Sequence, residues 1–129
     1  MWIPSQKEME AIASLNDNER TEYATKKIVD TRTVWLLRDD GGWKISAADN
    51  GLECIPIWPH AKYAEACSTG VWAGTHAASV DFQEFMAQWI EGMKHDGRSV
   101  AVFPVEARRA VVLPPATFAQ MLEAELSKY

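Results

Sequence analysis

The spacing of apolar residues changes several times along the chain, and each change predicts a new element of secondary structure. In the N-terminal part, apolar residues recur every three or four positions, which is typical of helices. Capping patterns at Ser5 and Asn16, each followed by a glutamate three residues later, predict where two helices begin. We therefore expect a helical extension over residues 1–15 and a second helix over residues 17–29.

The apolar period then shortens to two, which is typical of strands. Three short apolar segments, separated by turns rich in Asp, Asn and Gly, predict an antiparallel meander over residues 33–37, 43–46 and 52–58. Pro56 has no N–H to donate to a neighbouring strand. It therefore predicts that the third strand lies at an edge, carries a bulge or ends near this residue.

Helices and strands alternate in the second half of the chain. We expect a short helix from His60 to about Cys67, a strand over residues 76–80, a hairpin of residues 99–103 and 110–113, and a last helix that opens at Pro114. The strongest helical signal is one stripe of apolar side chains, formed by Phe82, Phe85, Met86, Trp89, Ile90 and Met93. The sequence thus predicts a single α+β domain over residues 1–129, with a mixed, mostly antiparallel sheet covered by helices.

Charge and hydropathy restrict what the protein can bind. The formal net charge is −5, and the chain has no basic stripe of the kind that phosphate binding requires. No apolar run approaches the about 20 residues of a membrane span, and the N-terminus lacks the charged start and apolar core of a signal peptide. We expect a soluble cytoplasmic protein with no nucleic-acid partner and no membrane association.

The two cysteines are expected to be structural. Cys54 and Cys67 form no Cys-x-x-Cys pair, and their spacing to His60, His76 and His95 fits no zinc site. Free cysteines are often buried, and a disulfide would be unusual in a cytosolic protein. The sequence predicts buried, reduced thiols, no metal and no cofactor.

Six tryptophans are the most unusual feature of the composition. Core packing explains most of them, because each indole buries a large apolar area. Trp43 and Trp58 stand near strand ends, which are more exposed than strand centres, so these two favour a surface groove walled by aromatic rings. The groove would run between the meander and the helix that starts at His60. Its predicted binding residues are Trp43, Trp58, His60, Tyr63 and Trp72.

An acid–base site built on His60 is the first catalytic alternative. A histidine at a helix start can meet a carboxylate, and such a pair could move protons. The carboxylates available to it are Asp39, Asp40 and Glu65. The two aspartates lie in a glycine-rich turn, where their side chains are better explained as turn formers. A His60 that only satisfies local hydrogen bonds is the simpler interpretation.

A thiol nucleophile at Cys67 is the second catalytic alternative, with His60 or His76 as its base. Cys67 follows His60 by seven residues, which is about 10 Å along a helix, so direct contact between them is not expected. The chain also lacks both glycine-rich phosphate-binding patterns. No complete catalytic set is therefore visible.

Several segments together resemble one known family. They are Val34-Trp35-Leu36-Leu37, Asp39-Asp40-Gly41-Gly42-Trp43, Ile55-Pro56-Ile57-Trp58-Pro59-His60, Tyr63-Ala64 with Trp72, and Val100-Ala101-Val102-Phe103-Pro104. They resemble a bacterial family known as the domain of unknown function numbered twenty-seven-fifty, from about Asn16 to the final helix. More distantly, the order of elements is similar to that of SseB-like domains. The resemblance implies the α+β fold and carries over no activity and no catalytic residue.

Three functions stay open at this point. The chain could be a protein- or ligand-binding module with an aromatic groove, a small enzyme, or an obligate homodimer whose aromatic patch meets its own copy. The excess of aromatic residues and the incomplete catalytic sets favour the binding module.

Overall fold

The computed structural model describes residues 2–47, 51–105 and 110–129. Its helices are α1 (Gln6–Ala13), α2 (Asp17–Thr31), α3 (Ala61–Ala66), α4 (Phe82–Glu84), α5 (Ile90–Asp96) and α6 (Pro115–Leu126), with a 3₁₀ turn at Gly70–Trp72 and a π-helical turn at Phe85–Trp89. Its strands are β1 (Thr33–Asp39), β2 (Gly42–Trp43), β3 (Ser46–Ala47), β4 (Glu53–Ile57), β5 (His76–Asp81), β6 (Ser99–Val102) and β7 (Val111–Leu113). This mixture confirms the predicted α+β class. The turn predicted at 48–51 and the hairpin loop predicted at 105–109 lie mostly outside the described residues.

The predicted helix starts are confirmed by their caps. The Ser5 hydroxyl accepts the Glu8 N–H at 3.0 Å, and the Asn16 side chain accepts the Glu19 N–H at 2.8 Å. The Glu19 carboxylate in turn accepts the Asn16 N–H, which completes a capping box. The Arg20 guanidinium of α2 is almost fully buried and donates to the Phe103 carbonyl oxygen at 3.2 Å, so it ties this helix to the end of β6.

The strands form two sheets, where the sequence predicted one. The orders are β2-β1-β5 and β3-β4-β6-β7, and only the β4–β6 pairing is parallel among the strand pairs of the described residues. The meander's middle segment divides at Lys44 and Ile45: β2 pairs with β1, and β3 pairs with β4. All three predicted segments are therefore paired antiparallel, but the third belongs to the second sheet.

A pair of backbone hydrogen bonds joins the two sheets. Trp35 and Trp58 exchange them at 3.0 and 2.9 Å. The Ile57 carbonyl points the other way, toward β6, because it accepts the Phe103 N–H at 2.9 Å. Backbone groups alternate sides along a strand, so the nitrogen of Pro56 faces the same side as that of Trp58. The missing N–H of Pro56 thus falls at the break between the sheets, where no ladder bond is required.

Residues 82–96 form one continuous helical rod made of α4, the π turn and α5. The predicted stripe is present but interrupted. Phe85 and Ile90 are both buried although five positions separate them, whereas Met86 and Trp89 are only partly buried. A π turn holds one more residue than an α turn. The next buried side chain after Phe85 is therefore that of Ile90, and Trp89 lies at the edge of the buried stripe.

The helices pack in two groups around a shared core. α3 packs on β1 and β5, while α6 packs against both α2 and α5. α2 also contacts β1, and α6 contacts β6. Side chains from both sheets and from all of these helices form a single buried cluster that includes Trp58, Phe85, Phe103 and Phe118. Within the described residues, every helix is too short or too polar to cross a membrane.

Candidate functional site

The five residues predicted to form one groove lie in different places. Trp58 and Tyr63 are buried, and Trp43, His60 and Trp72 are partly buried. Trp43 lies beside the rod of residues 82–96, while the other four lie near α3. The structure therefore separates Trp43 from the remaining predicted residues.

Trp58 belongs to the core, so the expectation that it is exposed near a strand end is wrong. Its exposed fraction is 0%, and its indole N–H donates to the Pro104 carbonyl oxygen at 2.9 Å. Trp72 packs edge-on against it with the ring centroids 5.8 Å apart. The strand end lies at the junction of the two sheets, which is why it is covered.

His60 caps α3, with its Nδ1 accepting the Lys62 N–H at 3.1 Å. Its ring meets Trp2 edge-on at 5.2 Å. Burial, and then the positive charge of Lys62, lower the pKa of His60, so the ring is neutral at neutral pH. Within the described residues it makes no hydrogen bond or ion pair with a carboxylate. The proposed acid–base pair is thus not assembled.

Cys67 and His60, the thiol and one of its two predicted bases, are not brought together either. Cys67 is the C-cap of α3 and His60 is its N-cap, so the two stand at opposite ends of this helix. The Cys67 thiol donates to the Pro104 carbonyl oxygen at 3.3 Å. Asp39 acts as the predicted turn former: it accepts the Gly41 N–H at 2.8 Å, and its other oxygen lies 2.7 Å from the Lys44 ammonium. These contacts with Lys44 and Gly41 lower the pKa of Asp39.

Tyr63 lies in a chain of hydrogen bonds that crosses three helices. Its hydroxyl is 2.9 Å from the Tyr23 hydroxyl, which donates to the Glu8 carboxylate at 2.6 Å. Burial, and then these polar neighbours, raise the pKa of Tyr23 well above its usual value, and burial likewise raises the pKa of Tyr63. Both hydroxyls are therefore neutral and act as hydrogen-bonding groups.

A surface pocket of about 480 Å³ lies between the broken middle strand and the rod of residues 82–96. We call it the Trp43–Trp89 pocket, after the two indoles that wall it. Their ring centroids are 5.0 Å apart, with an interplanar angle of 85°. The Arg38 guanidinium lies 4.8 Å from the Trp43 ring on the paired strand and holds it in place by a cation–π contact. Buried Ile55 and Met93 supply an apolar floor.

The rim of the Trp43–Trp89 pocket is charged. Arg98 contacts Glu53 at 3.3 Å and Asp96 at 3.4 Å, so its guanidinium is held between two carboxylates. Gln88 adds an exposed amide. The pocket therefore combines an apolar interior with a rim that carries both signs of charge.

Gly92 opens one side of the Trp43–Trp89 pocket. It lies inside α5, and a Cβ built there would have no neighbouring atom within 4 Å. No packing contact with the described residues therefore requires glycine, although glycine inside a helix costs about 1 kcal/mol relative to alanine. The missing side chain leaves space beside Trp89 that a bound group can enter.

Sequence reasoning missed Trp89 and Gly92 as site residues. Trp89 fits the helical stripe at 3.6 residues per turn, and nothing in that pattern signals a π turn. Gly92 did carry a signal, because a lone glycine inside an apolar helical pattern usually has a packing or functional reason. Within the described residues, no group of three or more His, Cys, Asp or Glu side chains could hold a metal ion.

The fold and the pocket define a small α+β domain with an aromatic-walled site on its surface. The model of a family described as a protein of unknown function, DUF2750, matches residues 21–122, and the chain belongs to this family. The match contains every residue of the Trp43–Trp89 pocket and leaves out α1. No curated protein matches the chain.

Proposed function

We propose that this protein is a protein-binding module whose Trp43–Trp89 pocket takes an apolar side chain of its partner. The observation that carries the proposal is the pair of partly exposed indoles over an apolar floor, inside a rim of charged pairs. Protein interfaces have this anatomy: tryptophan and arginine are enriched at the residues that contribute most binding energy, and polar groups surround them.

The neighbouring strands favour a protein partner over a small ligand. β2 and β3 are the outer strands of their sheets, and Trp43 and Ile45 from this stretch of chain line the pocket. An extended peptide can pair with an outer strand while one of its side chains enters an adjacent pocket. A volume of about 480 Å³ is sufficient for one large side chain and part of its neighbours.

Gly92 supports use of the pocket. Its presence in α5 lowers helix stability, and this loss is offset if the open space is filled when the partner binds. An enzyme is a weaker alternative, because His60 and Cys67 stand at opposite ends of α3 and are not brought together. A homodimer through the same pocket is the second candidate, since an interface of this anatomy can also face its own copy. A cytoplasmic location stays a prediction of the sequence.

Site-directed photo-cross-linking in the native host tests the proposal. A photoreactive phenylalanine analogue replaces Gln88, which is exposed at the pocket rim. It is combined with Gly92→Leu, which fills the pocket, or with Ala116→Leu, which adds the same side chain at an exposed position of α6. We expect a covalent adduct with another protein that Gly92→Leu abolishes and Ala116→Leu preserves.

Two outcomes would contradict the proposed partner. If the chain formed an adduct only with a second copy of itself, and Gly92→Leu abolished that adduct, a homodimer would replace the binding module as the proposed function. Adducts that are absent, or equally abundant in both leucine variants, would show that the pocket does not direct binding.

A further inference from the structure

Strand β5 is the one long outer strand in the sheets of the described residues. It has six residues, whereas the other outer strands β2, β3 and β7 have two, two and three. It pairs with β1 at all six positions without a bulge, and it contains neither lysine nor proline. Proteins usually protect an exposed edge by shortness, lysine, proline or a bulge, because an unpaired strand is a template for another strand. β5 thus keeps the form of an edge that accepts a partner strand.

The backbone groups on the outer side of β5 are unpaired. Trp35 of β1 lies opposite Ser79, but its backbone bonds go to Trp58 on the other side of β1. Because backbone groups alternate sides along a strand, β5 bonds to β1 through residues 76, 78 and 80, and residues 77, 79 and 81 face outward. Among the described residues, nothing bonds to the backbone N–H or carbonyl groups of these three. Ser79 and Asp81 are also exposed, so this side of the strand is open to a partner.

The outward groups are complementary to those of a second copy of the chain. Two β5 strands that run antiparallel about a two-fold axis at Ser79 place residues 77, 79 and 81 of one copy opposite residues 81, 79 and 77 of the other. Each of these pairs can exchange two backbone hydrogen bonds. The facing side chains are small, since Ser79 meets its own copy and Ala78 lies opposite Val80. Asp81 lies opposite Ala77, so like charges do not meet directly.

We propose that β5 pairs with β5 of a second copy, so that the first sheets of two chains form one continuous sheet. The contact is the same on both copies and uses the long edge of each, so the assembly closes as a dimer. It is confined to one strand and its surroundings, and interfaces of such limited area are weak, so we expect the dimer to form at micromolar concentrations. Trp43 lies on β2, at the opposite edge of the first sheet. The interface is therefore separate from the Trp43–Trp89 pocket and does not depend on the function proposed for it.

Sedimentation equilibrium of the full chain, from low micromolar to submillimolar concentration, tests the dimer. Ser79→Lys brings two like charges together at the two-fold axis and should leave the chain monomeric. Ala116→Lys adds the same charge at an exposed position of α6 and should dimerise as the parent does. Circular dichroism should show the parent's fold in both variants, because both positions are exposed.

Single cysteines test the register. In the proposed pairing, the two Cα atoms at position 79 are about 5.5 Å apart, which is within the range of a disulfide. Mild oxidation should therefore link two chains of Ser79→Cys. The copies of residue 77 are offset by about 14 Å along the strands, so Ala77→Cys should link only when it is mixed with Asp81→Cys. The parent chain, whose Cys54 and Cys67 are buried, gives the background.

Three outcomes would overturn the proposal. A parent chain that stays monomeric throughout would leave the edge to a strand of a different protein. A dimer that Ser79→Lys does not weaken, or that Gly92→Leu abolishes, would place the interface elsewhere. Disulfides that form equally in Ala77→Cys alone and in Ser79→Cys would exclude the two-fold pairing at Ser79.

Discussion

Gly92→Ala should make this protein more stable and at the same time weaken binding in the Trp43–Trp89 pocket. The glycine lies inside α5, and a Cβ atom built there would meet no neighbouring atom within 4 Å. Alanine there reduces the freedom of the unfolded chain and introduces no clash. The methyl group also enters the space that the proposed partner side chain would use.

The expected gain follows from the helical position alone. Alanine in place of glycine inside a helix contributes about 0.5–1 kcal/mol. For a domain of this size, that corresponds to a rise in Tm of about 2–4 °C. Gly97 provides the matched control: it ends α5 in a left-handed conformation with φ 72°, so Gly97→Ala should lose about 1 kcal/mol.

Urea unfolding followed by tryptophan fluorescence measures both variants, and the cross-linking assay at Gln88 measures binding. We expect opposite shifts of the unfolding midpoint for Gly92→Ala and Gly97→Ala, with m-values unchanged. A Gly92→Ala protein that is less stable than the parent would refute the view that the space is open. A more stable protein with unchanged cross-linking would refute the link between this space and binding.

Three further predictions concern other parts of the fold. Arg20→Met should lower the free energy of unfolding by about 2–4 kcal/mol in urea titrations, because the buried guanidinium donates to the Phe103 carbonyl oxygen; a loss below about 1 kcal/mol would contradict this. Trp58→Phe should lower it by about 1–3 kcal/mol and Trp43→Phe by less than about 1 kcal/mol, and equal losses would contradict the assignment of Trp58 to the core. The folded-state pKa of His60 lies below its unfolded value, so stability should fall as the pH drops below about 6.5. His60→Asn keeps a capping side chain and should flatten this pH dependence, and an unchanged slope would exclude His60 as its source.

Local signals predicted the helices well. The caps at Ser5 and Asn16 depend only on residues three positions away, and both form as expected. Asp81 caps the rod of residues 82–96 through contacts of the same short range, because its carboxylate accepts the N–H groups of Gln83 and Glu84 at 3.0 and 3.4 Å. Interactions of such short range can be inferred from spacing alone.

The arrangement of the strands needed information that spacing does not contain. The apolar alternation found β4, but its parallel partner β6 lies far along the chain, with Ile55 opposite Val100. That pairing draws β4 into the second sheet and buries Trp58, which sequence position alone had placed near the surface. Which aromatic rings meet is thus decided by long-range pairing, so the predicted set of five residues could not identify the pocket.

The irregularities of the fold converge on one place, and this convergence argues that the Trp43–Trp89 pocket is used. The middle strand breaks at Lys44 and Ile45, the helix widens into a π turn at Phe85–Trp89, and Gly92 interrupts an otherwise favourable helix. Each feature weakens regular structure, and all three border the same pocket. Natural sequences agree with their folds at most positions and depart from this agreement chiefly at functional sites, where π turns are also frequent. A side chain bound between the indoles, as proposed, would fill the space beside Gly92 and would offset the stability that the glycine and the π turn cost the helix.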